Sequence, residues 1–264
     1  MIGRIRNNLQ VARRLRRGGM TLGSVMLYPI RRRCRNPENC IKLKDGTTIC
    51  SPSAEELLYL FDEIWVGGCY TQKFEIPPGA TVVDVGANVG VFTLWAVKSG
   101  AARVIAVEPS PRMCKSLARN ISLNHLSNVT VVQAACGGKT GKAVLYSRGD
   151  EGLNSLYCRD VLGSTFQPMC RVPLLTLEDI FRRCAVETCD VLKLDCEGSE
   201  YDILLNSAEN TLSRIQMITM EYHVGLNEHD PSELIDFLHD HGFRAEKTPL
   251  IDTEGGYLYA TRRL

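Results

Sequence analysis

Two groups of residues in this chain have the types and spacing of a chemical site. The first is Asp84-Val-Gly-Ala-Asn-Val-Gly90, followed about twenty residues on by Glu108. A glycine at 86 turns the chain sharply where a Cβ would clash, and Gly90 lets the next helix approach the strand and a ligand. That helix offers its N-terminal amides and the positive end of its dipole to an anionic group. The order is G-x-x-x-G, without the G-x-G-x-x-G spacing that admits a pyrophosphate. A carboxylate at 108 can accept both hydroxyls of a ribose. The plain alternatives are turn glycines and an acid at a helix start before Pro109. Loop and acid together, at the ends of successive strands, point to a nucleoside-like ligand.

The second group is Asp195-Cys-Glu-Gly198, with Lys193 before it and Glu221 and His223 further along. Carboxylates here can orient a hydroxyl, take its proton or bind a cation, and a neutral imidazole is a fitting base near neutral pH. Glu197 read plainly is a cap for the helix beginning near Ser199, and Lys193 a partner for either acid. Asp195 with Glu197 lacks an obvious third ligand, so no metal is expected.

The elements that position these groups read as an alternation. Strands are predicted at 81–85, 103–107, 129–134, 191–194 and 217–222, with a closing pair at 243–247 and 257–261. Helices fall at 91–99, 111–123, 175–183, 201–206 and 231–241, and an added strand at 142–146 makes an antiparallel excursion. Short β-rich runs between amphipathic helices mean a parallel, doubly wound sheet with helices on both faces. Before it, residues 40–53 suggest a hairpin turning at Asp45-Gly46. Ser53 caps a helix through Ile64, with Glu56 at the capping-box position. Pro77-Pro78-Gly79 closes this preamble.

At 264 residues the chain holds one α/β domain with an extension, and 44% apolar residues suffice for its core. The net charge of +1 conceals an asymmetry: residues 1–35 carry ten Arg and no acid, leaving 21 basic against 30 acidic residues beyond. Ile2, Ile5, Leu9 and Ala12 stand at helical spacing among those arginines. A solvated basic helix, a helix on an anionic membrane and a mitochondrial transit segment all fit. No apolar run is long enough to span a bilayer. Eleven scattered Cys without a C-x-x-C pair read as free thiols in a reducing compartment, with Cys34–Cys40 or Cys40–Cys50 bridges open. Asn120-Ile-Ser122 and Asn128-Val-Thr130 match the glycosylation sequon, here taken as chance because no secretory segment precedes them.

Val82–Thr93 (VVDVGANVGVFT), Val104–Pro111 (VIAVEPSP) and Asp190–Leu204 (DVLKLDCEGSEYDIL) resemble three stretches of the FkbM family of class I S-adenosylmethionine (SAM)-dependent methyltransferases. Val172–Ile180 and Ile218–His223 are similar to its connecting segment and a later strand. The resemblance spans roughly residues 70–262 and leaves the first 40 residues outside. It implies a Rossmann-like, doubly wound, seven-stranded, mostly parallel sheet with an antiparallel final strand. It also implies SAM as cofactor and a sugar, glycan or natural-product hydroxyl as acceptor. Asp84, Gly86, Ala87, Asn88 and Gly90 would line the methionine part, Glu108 would hold the ribose, and Pro109 and Ser110 would lie near the adenine. No acid stands after the third strand for the adenine amino group, which leaves Cys136 or a backbone amide. Asn154-Ser155-Leu156 is expected to close over the site.

The chain is thus expected to divide into a basic extension (1–39), a preamble (40–79) and a methyltransferase domain (80–264). Asp195, Glu197 and His223 are the candidate catalytic residues. Expected partners are a small-molecule or glycan acceptor and, through residues 1–35, an anionic membrane surface. Nucleic acid is not expected, because Asp-Cys-Glu-Gly replaces the Pro-Pro-aromatic group typical of amino-methylating enzymes. The expected location is the cytoplasm, with peripheral membrane attachment or mitochondrial targeting open. A non-catalytic membrane-attached SAM-binding protein and a nicotinamide-dependent oxidoreductase are the competing readings.

Overall fold

A computed structural model of the chain describes residues 15, 17–21, 23, 39–147, 154–157, 167–249 and 255–263. Most of the basic arm, including its amphipathic spacing and Cys34, lies outside the described residues.

The hairpin forms from β1 (Asn39–Lys42) and β2 (Thr48–Ser51), with Cys40 opposite Cys50 and joined to it by a disulfide. The free-thiol expectation is therefore corrected at these two positions. Antiparallel pairing brings their Cα atoms to 4.0 Å, within bridging reach. Ser53 caps α1 (Ala54–Leu60) by accepting from Glu56 N at 3.2 Å, and the helix continues as a π-helical turn over Phe61–Val66.

The strand–helix alternation then runs β3 (Thr81–Val85), α2 (Val91–Lys98), β4 (Arg103–Val107), α3 (Pro111–Leu123) and β5 (Val129–Val132). An excursion follows: β6 (Ala135–Cys136), β7 (Gly141–Ser147), β8 (Asn154–Ser155) and β9 (Gln167–Leu175) form a separate sheet in the order β6-β9-β7-β8. The chain returns through α4 (Leu177–Arg183), β10 (Cys189–Leu194), α5 (Glu200–Leu205), α6 (Glu209–Leu212), β11 (Ile215–His223), α7 (Pro231–Asp240), β12 (Phe243–Pro249) and β13 (Gly255–Arg262).

The main sheet has seven strands in the order β12-β13-β11-β10-β3-β4-β5. β3, β4, β5, β10 and β11 pair parallel, and β13 runs antiparallel to both of its neighbours. This is the Rossmann-like, mostly parallel sheet with an antiparallel final strand. Its central strands β3, β4 and β10 are buried on both faces, so a period of two divides them between two cores. Val83, Val85, Ile105, Val107, Leu192 and Leu194 pack into one core with α4, α5 and α7. Val82, Val104 and Val191 pack into the other with α1, α2 and the hairpin. Each fully buried aliphatic side chain contributes about 1.5–3 kcal/mol.

Asn120 of α3 joins the hairpin to the loop after β3. It is fully buried, accepts from Cys50 N, and donates Nδ2 to Cys50 O and Val89 O, all at 2.8 Å. Among the described residues no helix is long and apolar enough to cross a membrane.

Candidate active site

Strand order reverses between β3 and β10, so the loops after these strands meet at the switch point, where sheets of this kind bind ligands. They meet backbone to backbone. Gly86 and Ala87 donate their amides to Val107 O, each at 3.0 Å, and Asp195 N donates to Val85 O at 3.1 Å. Gly86 has φ +75°, and a Cβ there would overlap the carbonyl oxygen of Asp195. Gly90 (φ +90°) precedes α2, and its Cβ would overlap Leu117 of α3. Its smallness therefore serves packing between α2 and α3.

Glu108 is buried at the end of β4. Oε2 accepts from Asn88 N and Oε1 from Ser110 N, both at 2.8 Å. Burial pushes its carboxyl up to about 7, while the two amides and Lys193 pull the other way. Each oxygen keeps a lone pair for a ligand. Asn88, in the left-handed region at φ 51°, donates Nδ2 to Glu56 Oε1 at 2.8 Å. Its Oδ1 is buried without a hydrogen-bond partner among the described residues. A cradle that only glycine permits, a fixed carboxylate and an orphaned amide oxygen suit a nucleoside ligand carrying polar groups.

These residues line a cleft of about 790 Å³, its open mouth included. Gly86, Ala87, Asn88, Glu108 and Pro109 form one wall; Ala135, Cys136, Asn154 and Leu156 another; Leu60 and Ile64 of the preamble close a third. Asp195 and Glu197 stand in the same cleft. Cys136 carries no charge here, because burial pushes its thiol up to about 12. Ser110 caps α3, accepting from Met113 N at 3.4 Å, and touches Glu108 through its amide.

Asp84 lies beneath the loop, fully buried. Period two turns Asp84 and its register partner Lys193 to the α2 face of the sheet. Asp84 accepts from Thr93 Oγ1 at 2.6 Å and lies 3.2 Å from Lys193 Nζ. Lys193 also donates to Gly86 O at 2.8 Å, lies 3.6 Å from Asp195 Oδ2, and sits over the rings of Tyr70 and Phe92. Burial works against its charge, but Asp84 and Asp195 outweigh it and hold its pKa above the ordinary lysine value. Lys193 thus ties the glycine loop to Asp195, whose Oδ2 also accepts from Tyr70 Oη at 2.8 Å.

The chain after β10 wraps around a buried carboxylate. Glu200 accepts from Cys196 N at 2.6 Å and from Gly198 N at 2.9 Å. Glu197 takes φ 51° and its carbonyl accepts from Ser155 Oγ at 2.7 Å. Its side chain reaches His223, with Oε2 3.5 Å from Nε2; Glu221 Oε1 is 3.8 Å from the same nitrogen. Glu200, not Glu197, is the acid bonded to the amides before α5. Burial opposes a charge on His223, but Glu200, Glu197 and Glu221 outweigh it and raise its pKa well above the ordinary value.

All three candidate catalytic residues therefore lie together, and one donor atom from each of Asp195, Glu197 and His223 falls within 4.8 Å of the other two. His223 thus stands as a third donor beside the two acids. Tyr70, Glu56 and Glu200 were not singled out for these contacts in the sequence. Tyr70 lies in an irregular segment without periodicity, while Glu200 carried one signal, an acid just past a glycine at a helix start.

Residues 84–245 match the family model described as Methyltransferase FkbM domain. The chain is 26% identical over 255 residues to the 31-O-demethyl-FK506 methyltransferase FkbM of Streptomyces tacrolimicus, covering 84% of this chain and 96% of that protein. It is 25% identical over 240 residues to the AMB antimetabolite synthetase AmbE of Pseudomonas aeruginosa, covering 77% of this chain but only 11% of that longer protein. Among solved structures, an rRNA methylase from Streptococcus thermophilus aligns at 10% identity with a TM-score of 0.45, covering 72% of this chain and 90% of that one.

Proposed function

The chain belongs to the FkbM family of SAM-dependent methyltransferases, and on that premise we propose that it methylates a hydroxyl oxygen of a sugar, glycan or natural product. The observation that carries this reading is the sharing of one cleft by the glycine-loop cradle with Glu108 and by Asp195 and Glu197. SAM supplies an electrophilic methyl on a sulfonium. Glu108 would take the ribose hydroxyls, the orphaned Oδ1 of Asn88 a donor group at the polar end of the cofactor, and Pro109 the adenine side. Asp84, behind the loop, would act by holding Lys193 and hence the cradle. The acceptor would enter through the acidic mouth.

Transfer needs an oxygen in line with the methyl group and a path for its proton. Asp195 and Glu197 would orient the hydroxyl. Asp195, Glu197 and His223 all stand where they could take its proton. The relative from Streptomyces tacrolimicus carries an oxygen position in its name, which supports an O-methyl product here. The test is a panel of hydroxylated sugars, glycans and polyketide alcohols incubated with SAM and read by mass spectrometry. Methyl ethers formed by the wild type and absent with Glu108→Ala are the expected result. Methylation confined to nitrogen or carbon acceptors would sink the O-methyl reading, and undetectable SAM binding by calorimetry would sink the cradle itself.

A further inference from the structure

The mouth of the cleft holds a donor set that methyl transfer from a sulfonium does not by itself require. Asp195 and Glu197 follow β10, His223 ends β11, and a ligand atom from each lies within 4.8 Å of the other two. Nε2 of His223 and Oε2 of Glu197 are 3.5 Å apart. Ligands on a tetrahedral or octahedral first-row cation stand about 3.0–3.4 Å apart when adjacent and about 4.2 Å when opposite. The three atoms therefore fall within small side-chain adjustments of a shared coordination sphere.

Two further features distinguish this set from a chance group of surface acids. The first is the support behind the imidazole. His223 Nδ1 faces Oε1 of Glu200 at 3.3 Å, and Glu200 is fully buried and held by two backbone amides. A fixed carboxylate behind a histidine is the arrangement that orients metal-bound imidazoles; the other ring nitrogen faces Glu197 and Glu221. The second is the backbone. Glu197 occupies the left-handed region, where a non-glycine residue is disfavoured, and Ser155 fastens its carbonyl. That conformation carries its carboxylate to the imidazole and gives the strain a function.

We propose that Asp195, Glu197 and His223 form a divalent-cation site which holds a methyl acceptor bearing two adjacent oxygens. One nitrogen and two carboxylate oxygens suit Mn²⁺ or Zn²⁺ better than Ca²⁺, which takes oxygen ligands alone. Three protein ligands leave positions open on the cleft side, as catalytic metal sites do. A vicinal diol or hydroxy acid would fill two of them. Coordination lowers the pKa of the bound hydroxyl, and its proton leaves to water at the open mouth. The alkoxide oxygen then attacks the sulfonium methyl; the new O–C bond forms as the S–C bond breaks, and S-adenosylhomocysteine leaves as the neutral thioether. The inference rests on the methyltransferase reading for its acceptor chemistry, but the cation site is testable alone.

The test is titration of the purified full chain with Mn²⁺, following the loss of the free-ion spin-resonance signal, beside calorimetry with SAM. The expected result is a single saturable Mn²⁺ site, weakened at least about tenfold in Glu197→Gln and in His223→Gln, with SAM affinity in both variants within about threefold of wild type, less than one hydrogen bond is worth. The variants lie on different elements, and retained SAM binding shows that each is folded. Absence of Mn²⁺ binding at millimolar concentration in protein that binds SAM overturns the cation site and leaves the methyltransferase reading intact. Mn²⁺ binding that survives both substitutions places the ion elsewhere and overturns it equally.

Discussion

Glu108→Gln separates what Glu108 contributes to ligand binding from what it costs the fold. Burial raises its carboxyl from 4.5 to about 7, so the ionised form is disfavoured in the native state. Over that range the shift amounts to about 3 kcal/mol. Because the folded value lies above the unfolded one, the native state holds the proton longer. Its contribution is fully present below about pH 4.5 and is lost as pH rises through about 7. Gln removes this titration but turns an NH₂ toward one of the two amides that now donate to the carboxylate, costing about 1–3 kcal/mol. The two effects nearly cancel at pH 8, so the variant should match wild type there and be less stable near pH 5. SAM binding behaves oppositely. One ribose hydroxyl loses a charged acceptor, worth about 1.5–3 kcal/mol, which is about 10–150-fold in Kd. In wild type, affinity should also fall by up to about tenfold per pH unit below about 7, and in Glu108→Gln this dependence should vanish. Urea denaturation at both pH values and calorimetry across the same range provide the readings. A variant that binds SAM as tightly as wild type, or whose stability deficit is the same at pH 5 and pH 8, would refute the reasoning.

Other substitutions probe the supports of the cleft. Gly86→Ala forces the loops after β3 and β10 apart, so SAM binding should drop below detection by calorimetry; affinity within about tenfold of wild type would show that the loops can yield. Lys193→Met leaves Asp84 buried without its cation and should cost about 3–5 kcal/mol in chemical denaturation, part of it regained in the double variant with Asp84→Asn. A loss under about 1 kcal/mol would mean that the pair is not the tie described. Cys40→Ser with Cys50→Ser opens the short loop that the disulfide closes and should lower stability by about 2–3 kcal/mol. Reducing agent should then destabilise wild type alone.

The frame of the fold was legible because β3, β4 and β10 are short apolar runs covered on both faces, and because Gly, Pro and Ser mark their ends. The helix start at Ser53 was legible from a side chain that caps. β9 was not. Pro168 and Pro173 lie within it, and prolines argue against a strand. The bulge in the pairing with β7 falls beside Pro168, and β6 pairs only with Leu174 and Leu175, so among the described residues both prolines lie where one side of β9 has no partner strand. Leu175, read as the start of a helix, closes that strand, and Thr176 caps α4. Within the site, Glu108 and the glycine loop were legible because their spacing follows from one βαβ unit. The contacts of Tyr70, Glu56 and Glu200 were not, since Tyr70 and Glu56 come from the preamble and meet the cleft only after folding. The charge state of His223 depends on three acids, of which Glu200 faces it only once the loop after β10 has closed.

Asn120 carries a consequence of another kind. It begins the pattern Asn-Ile-Ser, which an oligosaccharide transferase modifies at Nδ2. In the fold that same nitrogen donates to the carbonyls of both Cys50 and Val89, with no surface exposed beside it. A glycan there would remove a donor and demand room where the hairpin and the glycine loop meet. The folded and the glycosylated states of this chain are therefore alternatives. Wherever the chain reaches this fold, Asn120 has escaped modification, and a chain glycosylated at that position before folding would be withheld from it.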